Sequence, residues 1–177
     1  GGTLTDQSAS SINIKLVDAI DNVPVNQDEA YRLTITPKAI TVEAVAERGV
    51  YWAMQTLYQL KEEKGKKIRL QCGTITDWPA FRIRGFMQDV GRSYLSLEEL
   101  KREIAILSRF KINTFHWHLT ENQAWRLESK IFPMLNDSAN MTRMAGKYYT
   151  LEEARELTKF CKAHQVLLIP EIDMPGH

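Results

Sequence analysis

The stretch Val166-Leu167-Leu168-Ile169-Pro170-Glu171-Ile172-Asp173 joins a short apolar run to two acidic residues near the carboxyl end of the chain. A run of apolar residues without alternation is typical of a strand that is covered on both faces, as in a parallel sheet. Residues 83–90 and 112–119 also have the character of strands. A helix is predicted between each pair of these strands, so the order β-α-β-α-β predicts three parallel strands joined by right-handed crossovers.

The two helices of this unit are marked by their first residues. Ser96-Leu97-Glu98-Glu99 and Thr150-Leu151-Glu152-Glu153 both match the capping box, in which a Ser or Thr side chain and a Glu three residues later bond each other's backbone N–H groups. Apolar residues follow each box at helical spacing. The sequence therefore predicts one helix that begins at Leu97 and another that begins at Leu151.

The first 77 residues follow a different pattern. Apolar and polar residues alternate in 12–16, 31–36 and 40–44, which predicts three half-buried strands, the last two forming a hairpin. A helix is predicted from about residue 47 to about residue 61, followed by a strand at 67–70. We therefore predict a small α+β domain over residues 1–77, with an antiparallel sheet and one helix, and a second domain over residues 78–177.

Composition and charge exclude several classes of function. The chain of 177 residues has 23 Lys and Arg against 22 Asp and Glu, a net charge of +1, which gives little support to nucleic-acid binding. No apolar run approaches the roughly 20 residues that a membrane-spanning helix needs. Cys72 and Cys161 have no neighbouring Cys or His at ligand spacing, so they predict neither a zinc site nor a disulfide framework.

Polar side chains gather where the three parallel strands end, which is where sites form in α/β folds. These candidates are Asp89 and Arg92 after the first strand, His116, His118, Glu121, Asn122 and Gln123 in and after the second, and Glu171, Asp173 and His177 at the third. Acids and imidazoles without an excess of cations suit proton transfer on a neutral polar substrate. Trp117 and Trp125 add flat apolar surface that suits the face of a sugar ring.

Two pairs within this set have alternative interpretations. His116 and His118 lie on one face of a strand, where they can hold a divalent metal ion or serve as hydrogen-bonded core histidines. Glu171 and Asp173 also share a face. Such a pair of carboxylates performs acid/base chemistry or belongs to a structural network.

Five segments together resemble one enzyme family. RGFMQDVGR at 84–92, NTFHWHLTENQAWR at 113–126 and PEIDMPGH at 170–177 resemble the first three barrel strands of the family 20 glycoside hydrolases, the β-N-acetylhexosaminidases. EAYRL at 29–33 and GVYWAMQTL at 49–57 resemble the small α/β domain that precedes the barrel in this family. The resemblance implies a small domain followed by the first three strands and two helices of a truncated (β/α)₈ TIM barrel, a fold that typically takes about 250 residues.

The activity that this resemblance implies is hydrolysis of terminal, non-reducing β-linked N-acetylglucosamine or N-acetylgalactosamine by an exo-acting, retaining enzyme. The 2-acetamido oxygen of the substrate acts as the nucleophile and forms an oxazolinium intermediate. Proximity makes this internal nucleophile effective. No cofactor is implied, and the expected partners are glycans or glycoconjugates that end in N-acetylhexosamine.

The catalytic pair of the family is an adjacent Asp-Glu after the fourth barrel strand. No Asp-Glu dipeptide occurs in residues 81–177. We therefore expect the pair to lie after residue 177, and the chain as given to be inactive.

The resemblance also implies roles for residues that are present. Arg84 matches an arginine that bonds the outer hydroxyls of the sugar, a role suited to a guanidinium with several donors. Glu121 stands where Asp is usual and is expected to bond His177, which in turn contacts the missing Glu and helps to set its pKa. Three further residues match positions that support these groups without touching the sugar: Asp89, His118 and Glu171. No metal ligand is implied.

Two other functions remain as alternatives. The first is a metal-dependent TIM-barrel hydrolase that uses the pair His116 and His118, and the second is a non-catalytic glycan-binding module.

Two expectations concern the location and association of the protein. Enzymes that act on glycans work outside the cytoplasm in many cases, so export to the periplasm, cell surface or medium is expected. The open edge of a three-stranded parallel sheet predicts self-association.

Overall fold

The computed structural model describes residues 11–65 and 67–177, and these fall into two units that separate after Arg82. The first unit contains an α-helix packed on a sheet, and the second contains three parallel strands with two α-helices. None of the described helices combines the length and the apolar composition that crossing a bilayer requires.

Among its described residues, the first unit has six strands and one α-helix. They are β1 (Ile12–Leu16), β2 (Tyr31–Ile35), β3 (Ile40–Ala44), α1 (Glu47–Leu60), β4 (Glu62–Lys64), β5 (Lys67–Arg69) and β6 (Gly73–Asp77). The main sheet has the order β1-β3-β2-β6. The predicted hairpin is confirmed, because β2 and β3 pair in antiparallel register with Leu33 opposite Val42.

The expectation of an antiparallel sheet in this unit is wrong in one respect. β1 runs parallel to β3, while β2 pairs antiparallel with both β3 and β6, so the sheet is mixed. The long connection over residues 17–30 allows β1 to run in the same direction as β3, whereas a tight turn would have imposed antiparallel pairing. β5 does not join this sheet but forms a separate hairpin with β4, and the strand β6 was not predicted.

Apolar and polar residues alternate along β2 and β3, and the apolar face that results is buried under α1. The core consists of Tyr31, Leu33, Ile35, Ile40, Val42, Ala44, Trp52, Ala53 and Leu57. Trp52 donates from Nε1 to Oε2 of the buried Glu29 at 2.8 Å. Gly49 lets α1 approach closely, because a Cβ at this position would lie 2.3 Å from the carbonyl oxygen of Ala30.

The second unit has the predicted order of three parallel strands and two helices. Its elements are β7 (Gly85–Asp89), α2 (Leu97–Arg109), β8 (Thr114–His118), β9 (Thr120–Glu121), β10 (Ala124–Trp125), α3 (Leu151–Ala163) and β11 (Leu167–Glu171). The parallel sheet has the order β7-β8-β11. Both capping boxes are confirmed: Ser96 and Thr150 each accept from the N–H three residues later, and the side chain of that residue accepts in return.

The helices of this unit cover one face of its sheet. Phe115 and Trp117 of β8 point into a core with Leu100 and Ile104 of α2 and Leu157 of α3. The prediction that β11 is covered on both faces is wrong, because Leu167 and Ile169 are 58% and 42% exposed. β11 lies at an edge of the sheet, and within the described residues it pairs with β8 alone.

Candidate active site at the carboxyl ends of the parallel strands

Three of the predicted side chains meet because the strands are parallel and in register. Asp89 at the end of β7 is the register partner of His118 at the end of β8, and Glu171 at the end of β11 is the partner of His118 on the other side. Residues at equivalent ends of parallel strands share one edge of the sheet. The structure therefore places Asp89, His118 and Glu171 side by side, as expected.

His118 occupies the centre of this group. Its Nδ1 lies 2.9 Å from Oε2 of Glu171 and its Nε2 lies 3.2 Å from Oε1 of Glu121, while its side chain is 8% exposed. Burial by itself would lower the pKa of His118, but hydrogen bonds to Glu171 and Glu121 outweigh burial and raise the pKa above its ordinary value. When it is protonated, His118 has a carboxylate within reach of each of its two N–H groups.

Glu121 links His118 to two further side chains. Its buried carboxylate contacts the guanidinium of Arg92, and its Oε2 lies 3.4 Å from Nδ1 of His177. Burial raises the pKa of Glu121, but His118, Arg92 and the backbone N–H of Asn122 together lower it below the ordinary value. The lowered pKa keeps Glu121 ionised at neutral pH, and the structure brings it to His177, as the family resemblance implies.

At Gly91, the backbone of the turn after β7 comes close to the side chain of Glu121. A Cβ on Gly91 would lie 3.0 Å from both Cβ and Cγ of Glu121, closer than nearly all side chains tolerate. The missing side chain at Gly91 thus allows the turn after β7 to pack directly on Glu121.

Arg92 joins the turn after β7 to the strand β8. Its Nη1 lies 2.5 Å from Oδ2 of Asp89, and its backbone N–H donates to Oδ1 of Asp89 at 3.0 Å. Burial raises the pKa of Asp89, but hydrogen bonds from the backbone and side chain of Arg92 outweigh it and hold the pKa below the ordinary value. Because the Arg92 side chain is 46% exposed, part of the guanidinium faces solvent.

Arg84 is not part of this group. It precedes β7, so it lies at the amino end of the strand, whereas Asp89 lies at the carboxyl end. Five strand residues at about 3.3 Å each separate the two ends by roughly 16 Å. The Nε of Arg84 donates to the carbonyl of Lys111 at 2.7 Å, and its backbone N–H donates to Oδ1 of Asn113 at 2.9 Å.

The structure therefore places Arg84, which the family resemblance assigned to the sugar, away from the group at the strand ends, whereas Arg92 belongs to that group. The spacing Asp89-x-x-Arg92 directly after a strand was the signal in the sequence that could have identified it.

Of the remaining predicted polar residues, Asn122 and Gln123 lie between β9 and β10, Asp173 follows β11, and His116 lies within β8. His116 contacts Oε2 of Glu171, so both imidazoles of the His-Trp-His segment share one face and one carboxylate. A hydrogen bond from His118 is the main reason why the pKa of Glu171 lies below its ordinary value. The backbone N–H of Asp173 donates to Oγ1 of Thr120 at 2.8 Å.

Trp117 does not supply the flat surface that the sequence suggested. It is 2% exposed and lies between the sheet and the helices, with its ring centroid 4.8 Å from that of Tyr149. A strand alternates its faces, and His116 and His118 occupy the polar one, so Trp117 must point into the core. Trp125 is half-buried.

Arg126 has a structural role that the sequence did not reveal. Its guanidinium is fully buried, and its five N–H groups are all used by backbone carbonyls, those of Val90, Gly91, Arg143, Met144 and Lys147. These bonds tie the irregular segment before α3 to the turn that carries Arg92. A lone arginine after a strand has no periodicity that would predict such burial.

Comparison with known proteins accounts for both units. The model of the glycosyl hydrolase family 20 catalytic domain matches residues 81–177, and that of glycosyl hydrolase family 20 domain 2 matches residues 2–78. The beta-hexosaminidase of Porphyromonas gingivalis is 38% identical over 171 residues, covering 89% of this chain and 22% of that protein. The beta-hexosaminidase of Vibrio furnissii is 37% identical over 168 residues, covering 87% of this chain and 28% of that protein.

Solved structures give the same result. The beta-N-acetylhexosaminidase of Bacteroides fragilis superposes with a TM-score of 0.84 at 35% identity, covering 94% of this chain and 34% of that one. An exo beta-N-acetylglucosaminidase of Vibrio harveyi, in complex with N-acetylglucosamine, superposes with a TM-score of 0.83 at 33% identity. The match covers 94% of this chain and 28% of that one. This chain thus spans about a fifth to a third of the length of these relatives. With family models matching nearly all of its residues, the chain belongs to glycosyl hydrolase family 20.

Proposed function

We propose that this chain is part of an exo-acting β-N-acetylhexosaminidase that removes terminal, non-reducing β-linked N-acetylglucosamine or N-acetylgalactosamine. The observation that carries the proposal is the connected group Asp89–Arg92–Glu121–His118–Glu171, with His177, at the carboxyl ends of three parallel strands in a chain of this family. The relatives that the chain matches are beta-hexosaminidases, which supports the same substrate class here.

The proposed architecture places the small domain at residues 1–77 and the start of a (β/α)₈ barrel at residues 78–177. The sheet order β7-β8-β11 with crossover helices supports the second assignment, since a barrel begins with such parallel units. The share of the relatives' length that this chain spans supports the view that further barrel strands belong to the protein. The Asp-Glu catalytic pair would lie in those strands.

The proposed mechanism is retaining and substrate-assisted. The 2-acetamido oxygen attacks the anomeric carbon while a general acid protonates the departing glycosidic oxygen, and water then opens the oxazolinium ring. A nucleophile held within the substrate gains an effective molarity on the order of 10⁵–10⁸ M. The work left to the protein is to hold the sugar, orient the acetamido group and supply the proton.

His177 and Glu121 would tune that proton donor. Nδ1 of His177 faces the ionised Glu121, so Nε2 is the ring nitrogen left to contact the general acid. A histidine oriented in this way adjusts the pKa of a neighbouring carboxyl group through a hydrogen bond. Asp89, His118 and Glu171 would support this arrangement by fixing Arg92 and Glu121.

Arg92 is the residue we assign to the hydroxyls of the sugar. Asp89 and Glu121 hold its guanidinium from two sides, and the half-exposed remainder offers N–H donors to solvent. A planar guanidinium fixed in this way suits recognition of adjacent hydroxyl groups.

The test is an assay of the 177-residue chain beside the product of the reading frame continued past His177. With p-nitrophenyl N-acetyl-β-glucosaminide we expect no turnover by the chain, whose intact mass is 20.4 kDa, and turnover by the longer product. The matched substrate control is p-nitrophenyl β-glucoside, which lacks the acetamido group and should not be cleaved. NMR should show the β-anomer of the sugar as the first product.

Three results would refute parts of this proposal. Turnover by the intact 20.4 kDa chain would disprove the incomplete site, and equal cleavage of the glucoside would disprove the substrate-assisted mechanism. Loss of the longer product's activity in the presence of a chelator would instead favour a metal-dependent hydrolase.

We also propose that the enzyme is exported, which cell fractionation followed by the same assay would test.

A further inference from the structure

The turn that follows β7 has its backbone polar groups held from two sides. The N–H groups of Val90 and Gly91 both donate to the carbonyl of His118, at 3.0 and 3.3 Å. The carbonyls of the same two residues accept from Arg126, whose Nε lies 3.0 Å from the first and whose Nη2 lies 3.3 Å from the second. These four bonds fix the peptide units directly before Arg92.

The position of Arg126 is set in turn by the irregular segment before α3. Its Nη1 donates to the carbonyls of Met144 and Lys147 at 3.0 and 2.6 Å, and its Nη2 donates to the carbonyl of Arg143 at 2.8 Å. Because all five N–H groups are used and the side chain is fully buried, the guanidinium is held in one orientation. Arg126 therefore couples this segment to the turn after β7.

The placement of Arg92 depends on the path of that turn. Its guanidinium contacts the carboxylates of both Asp89 and Glu121. Gly91 already lies against the side chain of Glu121, so the turn packs tightly on this side. A displaced turn would move the backbone of Arg92 relative to both carboxylates, and its guanidinium, which is 46% exposed, could then leave them for solvent.

We propose that Arg126 is a positioning residue for the sugar site and acts on Arg92 through the backbone of Val90 and Gly91. This inference rests on the proposed function, in which Arg92 binds hydroxyls of the terminal sugar. Because Arg126 is fully buried, it touches neither the sugar nor the reacting atoms. Its contribution is to hold the turn in the one position from which Arg92 presents its N–H donors.

This role has a kinetic signature that a purely structural role lacks. Hydroxyls that do not react are bound alike in the ground state and in the transition state. Loss of such uniform binding raises KM and leaves kcat unchanged. A side chain that only stabilises the fold changes the amount of active enzyme instead, so its loss lowers the apparent kcat and leaves KM unchanged.

The test is steady-state kinetics of the product of the reading frame continued past His177, with p-nitrophenyl N-acetyl-β-glucosaminide as substrate. We expect R126K to raise KM between about tenfold and about a hundredfold, the size of effect that a displacement of about 1 Å produces. The value of kcat should change less than about twofold. R126Q should behave in the same way, and R155M, on the exposed side of α3, should leave KM and kcat unchanged.

Folding of each variant is checked by circular dichroism. If R126Q does not fold, R126K decides the question, because lysine keeps the charge and three N–H donors. Unchanged KM in folded R126K would overturn the inference, and so would a lowered kcat with unchanged KM.

A double-mutant cycle shows whether Arg126 acts through Arg92. R92M removes the proposed contact with the sugar and should by itself raise KM. In that background R126K should change KM by less than about twofold, because two residues that act through one contact do not have additive effects. An equal fold-change in the native and R92M backgrounds would contradict the proposal.

Hydrogen exchange of the 177-residue chain tests the structural step without any glycan. R126K should accelerate exchange of the Val90 and Gly91 amides by at least about tenfold, while the amides of Leu100 and Ile104 in α2 exchange as in the native chain. Unchanged exchange at Val90 and Gly91 would overturn the inference. An inactive native longer product would refute the proposed function, and these exchange rates would still decide whether Arg126 holds the turn of Arg92.

Discussion

Nε2 of His118 lies 3.2 Å from Oε1 of Glu121, and this contact connects the strand ends to the loops around them. On the side of His118, Glu171 extends the group across to β11. On the side of Glu121, Arg92 and His177 extend it into the turn after β7 and the loop after β11. A change at either residue therefore reaches every part of the candidate site.

The free energy of unfolding should depend on pH through the ion pair of His118 and Glu171. The pKa of His118 is raised in the folded chain, so its contribution is fully present below its ordinary value of 6.5 and is lost as pH rises through the folded pKa. The pKa of Glu171 is lowered, so its contribution is present above its ordinary value of 4.5 and is lost as pH falls through the folded pKa. The pair should stabilise the fold most between these two values.

Urea unfolding measures this effect. We expect the free energy of unfolding to fall between about pH 5.5 and about pH 9, and to fall less in the E171Q variant, whose amide is no longer a charged partner. A native chain whose free energy of unfolding is constant or rises over this range would contradict the role of the pair.

Replacement of Gly91 by alanine should destabilise the second unit. The new Cβ would press on Cβ and Cγ of Glu121, and overpacking of this kind costs about 1–3 kcal/mol. G85A is the matched control, because a Cβ there would meet its nearest neighbour at an ordinary 3.9 Å. Urea unfolding should separate the two variants, and equal free energies of unfolding would disprove the close packing of the turn on Glu121.

Replacement of Arg126 by methionine should have a larger effect. Methionine fills much of the volume but leaves five carbonyls without their donor, and each buried, unsatisfied group costs about 1–3 kcal/mol. We expect a loss on the order of 3 kcal/mol or more, together with faster proteolysis between residues 127 and 149. R155M, on the exposed side of α3, should change the free energy of unfolding by less than about 0.5 kcal/mol.

The 177-residue chain should associate through the edge strand β11. Its outer edge is unpaired within the described residues, and the exposed Leu167 and Ile169 add apolar surface beside it. Light scattering after size exclusion should show mass increasing with concentration, and I169K should reduce the increase. I106K, which changes an exposed apolar residue on α2, is the control. A monodisperse monomer with a high melting temperature would contradict this prediction.

Local patterns predicted most of the elements but not all of their pairings. Alternation located β1, β2 and β3, and the capping boxes located the first residues of α2 and α3. These signals depend on neighbours a few residues apart, so they can be read along the chain. The parallel pairing of β1 with β3 could not be predicted in this way, because it depends on the path of residues 17–30.

The candidate site shows the same division. The sequence by itself determined the parallel order of the strands, the shared faces of His116 with His118 and of Glu171 with Asp173, and the position of these residues at the strand ends. Only the tertiary structure decided that Arg92 and not Arg84 reaches Glu121, that Trp117 lies in the core, and that Arg126 is buried among carbonyls. The physical reason is that strand direction and side-chain alternation are local properties, whereas the guanidinium of Arg126 binds carbonyls that the fold brings from 17 to 36 residues away.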